Sequence, residues 1–238
     1  MTRRLKRRAA PRAWKIPRKG TKWVQRVAPG PHPQDQSIPL VMVLRELRGI
    51  ARSAREAQTI LRQGAIKIDG TVVRDPARGV GLMDVLSIAT PTEEHFRILK
   101  DVRGKLVLVS IPGAEATIKL GRVRCKTTVS GGRIQVTLHD GRNLLCPPKA
   151  AWRVGDSLKL EMPGQKVVGH LPLSAGHLAY VSGGSHVGQL ARVERVEVRN
   201  SPEPNRVHFV EGFSTTKENV FIVGETAPQI SLPEGLSR

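Results

Sequence analysis

Apolar positions first cluster at Ile38–Leu44, an unbroken run of seven residues. Leu40, Leu44 and Leu47 fall at helical spacing before Gly49, which predicts a first helix. Ser37 can cap that helix and Pro39 is tolerated in its first turn. Ser53-Ala54-Arg55-Glu56 then reads as a capping box, with Ser at the cap and Glu three residues on. Ala54, Ala57 and Leu61 form the stripe of this second helix, and Gly64 stops it. Ala65 to Ile68, Asp69-Gly70, then Thr71 to Val73 predict a tight hairpin, and a further strand is expected over Asp84 to Ile88. Residues 37–88 therefore read as a compact helix–helix–hairpin unit.

The pattern changes after that. Residues 93–172 read as mostly β, with strands expected at Leu106 to Ile111, Ile134 to Leu138, Asn143 to Leu145, Ser157 to Glu161 and Lys166 to Leu171. Asp140-Gly141 predicts another hairpin turn, and Gly113 to Leu120 a short helix. Residues 173–225 read as about five short strands with glycine turns, hence a small barrel. From Thr226 the chain is loop-like, with Pro228 and Pro233 opposing a regular element.

Charge changes this picture from a fold to a binding protein. The 238 residues carry 39 Lys and Arg against 20 Asp and Glu, a net charge of +19. Residues 1–78 hold 19 basic and 5 acidic residues, residues 79–172 hold 14 and 8, and residues 173–238 hold 6 and 7. Such a balance calls for an anionic partner, nucleic acid first and an anionic membrane surface as its rival. The first 34 residues have no acidic residue and 11 basic ones: Arg3, Arg4, Lys6, Arg7, Arg8, Arg12, Lys15, Arg18, Lys19, Lys22 and Arg26. With so little apolar surface and so many prolines, this segment alone in water is expected to be extended or disordered. Trp14 and Trp23 are its exceptions. Each can stack on an exposed base, or dock onto the protein's own core.

In the helical unit, Arg52, Arg55 and Arg62 lie on or just before the second helix, away from its apolar stripe. Arg48 and Lys67 are close by in sequence. Convergent arginines at a helix start suit phosphate, because free N–H groups there add partial positive charge. The bland alternative is an ordinary solvated face. Contact with RNA is favoured because the basic segment lies next to it in sequence.

Other chemistries find little support. No apolar run approaches the roughly 20 residues of a membrane span. No apolar region follows the N-terminal arginines, as a secretory signal would require. Cys125 and Cys146 are too far apart in sequence for a disulfide scaffold or paired zinc motif, pointing to a reducing compartment. Gly183 to Gly188 has phosphate-loop glycine spacing, but Gln189 and Leu190 replace the required Lys and hydroxyl. His139, His170, His177 and His186 lack ligand spacing, so no metal or other cofactor is expected. Asp140 is the nearest candidate for a catalytic carboxylate if the chain were an RNA-modifying enzyme, and it sits in a hairpin turn.

The chain resembles the archaeal and eukaryotic (e-type) family of small-subunit ribosomal protein number four, nearly end to end. The resemblance is carried by Leu5-Lys6-Arg7-Arg8-Ala9-Ala10-Pro11 with Trp14, Gly30-Pro31-His32, Ile38-Pro39-Leu40, Ile66-Lys67-Ile68-Asp69-Gly70 and Met83-Asp84-Val85-Leu86-Ser87-Ile88. Phe96-Arg97-Ile98, Val181-Ser182-Gly183-Gly184, Glu218 to Gly224 and Ile230-Ser231-Leu232-Pro233 continue it. It implies a multi-domain α+β protein: a basic extension (1–36), an alpha-L RNA-binding module (37–92), a central β domain (93–172), an SH3-like KOW barrel (173–225) and a tail (226–238). The alpha-L module is shared with some pseudouridine synthases and tyrosyl-tRNA synthetases. Ala191 stands where the KOW motif usually has its last glycine, so Gly183, Gly184 and Gly188 are the motif positions carried over. The resemblance implies a non-catalytic constituent of the small subunit in the cytoplasm. Its partners would be small-subunit ribosomal RNA and neighbouring ribosomal proteins, with no membrane and no small-molecule substrate. The rival readings are an RNA-modifying enzyme and a KOW-containing transcription or translation factor.

Overall fold

The computed structural model describes residues 4–89, 92–147 and 151–232. Their chain forms two units: one runs through Lys119 and includes Met162–Gly164, and the other takes Leu120–Glu161 and the chain from Gln165.

The first unit begins with β1 (Arg4–Lys6) paired antiparallel to β2 (Trp23–Gln25). β3 (Ser37–Pro39) leads into α1 (Leu40–Met42), and α2 (Ala54–Arg62) follows. Then come β4 (Ile66–Ile68), β5 (Thr71–Val72), β6 (Gly79–Gly81), β7 (Val85–Ile88), β8 (Glu94–Lys100) and β9 (Leu106–Ile111). β3 pairs with β6, while the main sheet has the order β5-β4-β7-β8-β9 and is antiparallel throughout.

The first helix departs from expectation. Ser37 does not cap it, because Ser37-Ile38-Pro39 is held extended against Gly79–Gly81. Ser37 Oγ instead donates to Pro33 O at 2.8 Å. The helix starts at Leu40 and widens over Val43–Leu47, where Arg48 N reaches back to Val43 O at 2.9 Å, five residues away. All seven residues of the Ile38–Leu44 run are buried, so the run serves as core on every side. The Asp69-Gly70 turn forms as expected, with both residues at positive φ (50° and 75°).

The basic segment is a correction. Its described residues are not a free arm but part of the first unit's core. Ala10, Trp14, Ile16, Val24 and Val27 are buried in one cluster with Leu40, Leu44, Leu61, Ile66 and Leu106. Leu106 N donates to Ala13 O at 2.7 Å, joining the segment to β9. Non-local apolar contacts, invisible to a reading of the isolated segment, offset its chain entropy. β8 and β9 continue the sheet begun by β4 and β7, so this compact unit extends through Lys119.

The second unit contains two antiparallel five-stranded sheets. β10 (Ile118–Val129), β11 (Arg133–Leu138), β12 (Asn143–Leu145), β13 (Ser157–Glu161) and β14 (Lys166–Leu171) take the order β12-β11-β10-β13-β14. The helix expected over Gly113 to Leu120 is one tight turn, Gly113–Glu115, and the β-branched residues from Ile118 onward are strand. β15 (Leu178–Val181), β16 (Leu190–Glu197), β17 (Arg206–Phe209), β18 (Ser214–Thr216) and β19 (Val220–Gly224) take the order β18-β17-β16-β15-β19. β19 is buried at every position, as its continuous apolar run requires. Among the described residues α-helix is confined to short segments of the first unit, and the described chain is mostly β.

Candidate nucleic-acid interface

α2 displays the predicted arginines as an outward strip. Glu56 N donates to Ser53 Oγ at 3.1 Å, and Arg52 N donates to Glu56 Oε2 at 2.8 Å. The capping box therefore already satisfies part of the helix start. Ala57 and Leu61 are fully buried, whereas Arg52, Arg55 and Arg62 are exposed. Exposed arginine side chains supply positive charge here. Lys67 is exposed between buried Ile66 and Ile68, so β4 turns it outward by its two-residue period. Arg48 is committed elsewhere. Its Nε and Nη2 bind the Glu94 carboxylate at 2.7–3.0 Å, and its guanidinium lies 5.6 Å from the Phe96 ring centroid.

The N-terminal segment sorts its cations into two kinds. Arg4, Lys6, Arg8, Arg12, Lys15, Lys19, Lys22 and Arg26 are exposed. Arg7 is only 5% exposed and is a clamp. Its Nη1 donates to Pro17 O at 2.9 Å, and Nη2 donates to Thr21 Oγ1 and Glu46 Oε1 at 2.9 and 3.0 Å. Arg18 donates to Ala10 O and Pro11 O at 2.7 and 2.8 Å. These two arginines fold the backbone so that a cleft of about 410 Å³ opens among Lys6, Arg8, Lys19 and Lys22, with no acidic residue in its lining. Arg3 lies outside the described residues.

Trp14 is corrected as a base-stacking candidate. It is 1% exposed, and its Nε1 donates to Ser37 O at 2.6 Å, so neither ring face can receive a base. Trp23 is 44% exposed, and Lys22 Nζ sits 5.5 Å from its ring centroid. It is the indole a base could reach.

Sequence reasoning missed a buried polar network beneath this surface. Lys119 Nζ donates to Asp69 Oδ2 at 2.7 Å and to Asp84 Oδ1 at 2.6 Å. His32 Nε2 lies 3.0 Å from both Asp84 oxygens, and Gly81 N donates to Asp84 Oδ2 at 2.8 Å. Burial alone would raise the Asp84 pKa, but Lys119 and His32 outweigh it and hold the carboxyl far below the usual carboxylate range. The network fastens the proline-rich segment at His32 to the turns at Asp69 and Asp84. Asp69 was legible only as a turn residue, and nothing local marks Lys119. Arg97, fully buried, donates to Ile118 O at 2.9 Å.

In the second unit, the glycines carried over from the KOW resemblance lie in the β15–β16 connection. Gly184 and Gly188 have φ of 89° and 81°. A Cβ on Gly183 would stand 2.5 Å from Asn219 Oδ1, so the group that approaches its backbone is the protein's own Asn219. Ala191, paired with Ala179 inside the sheet, needs no glycine conformation. Asp140 is 1% exposed and accepts from Arg142 N and Nε at 3.2 and 2.9 Å, which makes it a turn-locking carboxylate. Among the described residues, no three His, Cys, Asp or Glu side chains are grouped to hold a metal.

Comparisons with known proteins converge. Residues 92–167 match the family described as Ribosomal family S4e, residues 1–35 an RS4NT domain and residues 38–86 an S4 domain. The small ribosomal subunit protein eS4 of Methanocaldococcus jannaschii is 39% identical over 240 residues, covering 97% of each chain. That of Aeropyrum pernix is 38% identical over 244 residues, covering 98% of this chain and 96% of the other. The crystal structure of the 30S ribosomal protein S4e from Thermoplasma acidophilum superposes with a TM-score of 0.72 at 36% identity, covering 81% of this chain and 97% of that one.

Proposed function

The chain belongs to the small ribosomal subunit protein eS4 family, and on that premise we propose that it is a structural constituent of the small ribosomal subunit that binds small-subunit ribosomal RNA. The observation that carries this reading is the separation of cations in the first unit. Arg7 and Arg18 are spent on internal acceptors, Arg7 on Pro17 O, Thr21 and Glu46 and Arg18 on carbonyls, while Lys6, Arg8, Lys19 and Lys22 face a cleft with no carboxylate among its described lining residues. Arg52, Arg55 and Arg62 add a second strip. Arginine forks suit phosphate oxygens, and folded RNA is read largely through its backbone shape.

The protein acts without catalysis of its own, in the cytoplasm, beside neighbouring small-subunit proteins. Residues 173–225 act as the KOW module. Their chain segment, with 6 basic and 7 acidic residues through the C-terminus, suits solvent or a protein neighbour better than RNA. The buried, paired state of Asp140 supports the non-catalytic reading over an RNA-modifying one.

Sedimentation of a tagged chain through a magnesium-containing gradient, before and after a moderate salt wash, tests the proposal. Near-stoichiometric migration with small subunits after the wash is the expected result. Release by the wash, or migration at the top, would replace it with a transient factor.

A further inference from the structure

The β10–β11 ribbon in the second unit has an outer half whose residues are largely exposed. Along β10, Leu120, Gly121 and Val123 are buried, and then five consecutive residues, Arg124 to Thr128, are exposed. Ser130 to Ile134 are exposed as well. A strand lying on a core alternates between buried and exposed positions, so the loss of alternation means that neither face is covered. The pairing nevertheless stays regular out to Val129↔Arg133. A two-stranded ribbon in water is marginal by itself, and an uncovered one of this length fits an element that a partner covers.

Its chemistry selects the partner. No Asp or Glu occurs between Glu115 and Asp140. The outer half carries Arg124, Lys126 and Arg133, with hydroxyls at Thr127, Thr128 and Ser130. Lys126 Nζ donates to Trp152 O at 2.7 Å, while Arg124 and Arg133 carry no ion pair among the described residues. Arg124 sits at a bulge between Val123 and Cys125, the kind of irregularity that re-aims a side chain. Residues 124–134 include no Phe, Tyr, Trp or Met, the apolar anchors that accompany Arg at protein–protein contacts. We propose that this outer half, residues 124–134, is a separate RNA-contacting element that enters a crevice between phosphate backbones, with Arg124 and Arg133 as its phosphate ligands. The proposal rests on the ribosomal RNA reading above and adds a contact in a unit to which that reading assigns none.

The ribbon carries its own reporter in Cys125, which is exposed. A Cys146→Ser variant of the full chain leaves Cys125 as the thiol to follow. In the free protein Cys125 should alkylate readily. In assembled small subunits that reaction should be lost, and ultraviolet crosslinking should place nucleotide adducts on the 124–134 peptide. Cys125 that stays reactive in subunits overturns the proposal while leaving the ribosomal assignment intact. Protection accompanied by chemical crosslinks to another protein and no nucleotide adduct overturns it in favour of a protein partner. In parallel, Arg124→Gln with Arg133→Gln should reduce the slope of log affinity against log salt by about 1.4–1.8 for small-subunit RNA, two phosphates' worth. An unchanged slope also counts against it. If the parent chain does not sediment with small subunits at all, both readings fall together.

Discussion

Lys119 and Asp84 meet at 2.6 Å in the interior of the first unit, both at most 3% exposed, although 35 residues separate them. Asp69 accepts a second bond from the ammonium and His32 meets both oxygens of the Asp84 carboxylate, which completes the arrangement. Removing one partner leaves a buried charge uncompensated, which typically costs 3–5 kcal/mol. Lys119→Met should therefore lower the denaturation midpoint strongly, by about that energy. A two-state urea titration with a loss under about 1 kcal/mol would show the pair to be dispensable.

The same carboxylate sets an acid limit. The folded state holds the Asp84 pKa far below its unfolded value of about 3.9. A depressed carboxylate pKa contributes stability that is fully present above the unfolded pKa and lost as the pH falls toward the folded one. Stability should hold to about pH 4 and then decline with acid, and Asp84→Asn should flatten that decline. Thermal melts across this acid range give the comparison.

Trp14 should behave as a core residue. Trp14→Ala should destabilise by about 3–5 kcal/mol, as truncation of a buried aromatic does. Trp14→Phe keeps most of the burial but leaves Ser37 O without its indole donor, at a cost of about 1–3 kcal/mol. Calorimetry reads both. A Trp14→Ala protein that melts like its parent would mean the ring is not packed.

Arg52→Gln, Arg55→Gln and Arg62→Gln together should leave the melting curve unchanged and reduce the salt slope of RNA binding by about 2–2.7. Deleting residues 1–26 is not an equivalent test for the N-terminal cations, because it would remove Trp14 and Val24 from the core. Arg8→Gln, Lys19→Gln and Lys22→Gln substitute only exposed charges and should reduce the slope by a similar amount. Parent-like slopes would return either group to a solvated surface.

Gly81→Ala places a methyl carbon about 2.4 Å from the His32 ring. The ring is 7% exposed and tied to Asp84, so it has little room to yield. A loss of about 1–3 kcal/mol is expected, read in the same urea titration.

What the sequence revealed follows the range of the physics involved. The Ser53–Glu56 cap, the Asp69-Gly70 turn and the strands at 106–111, 143–145, 157–161 and 166–171 are fixed within a few residues of chain, and each forms as expected. Apart from the Gly113–Leu120 helix, where the β-branched residues from Ile118 onward form strand, the failures named here are non-local. Ser37 was a plausible cap until Gly81 paired with it. The basic segment looked unable to fold until the apolar surface of α1 and β9 was supplied. Arg7 was indistinguishable from Arg8 in sequence, yet one is a clamp and the other an exposed cation. The cationic character of the site was legible from composition, but which cations remain free depends on carbonyl partners such as Pro17 and Ala10.

The bond from Leu106 N to Ala13 O also has a meaning in time. A chain is made from its N-terminus, so the most basic part of this protein emerges first, while the strand it must join is still to be translated. For the synthesis of about ninety further residues, a polycation has no edge to dock on and is open to any polyanion nearby. The finished fold ends that interval by drawing Trp14 inward. The order of synthesis thus leaves the segment's cations without the last of their folded surroundings until Leu106 has been made.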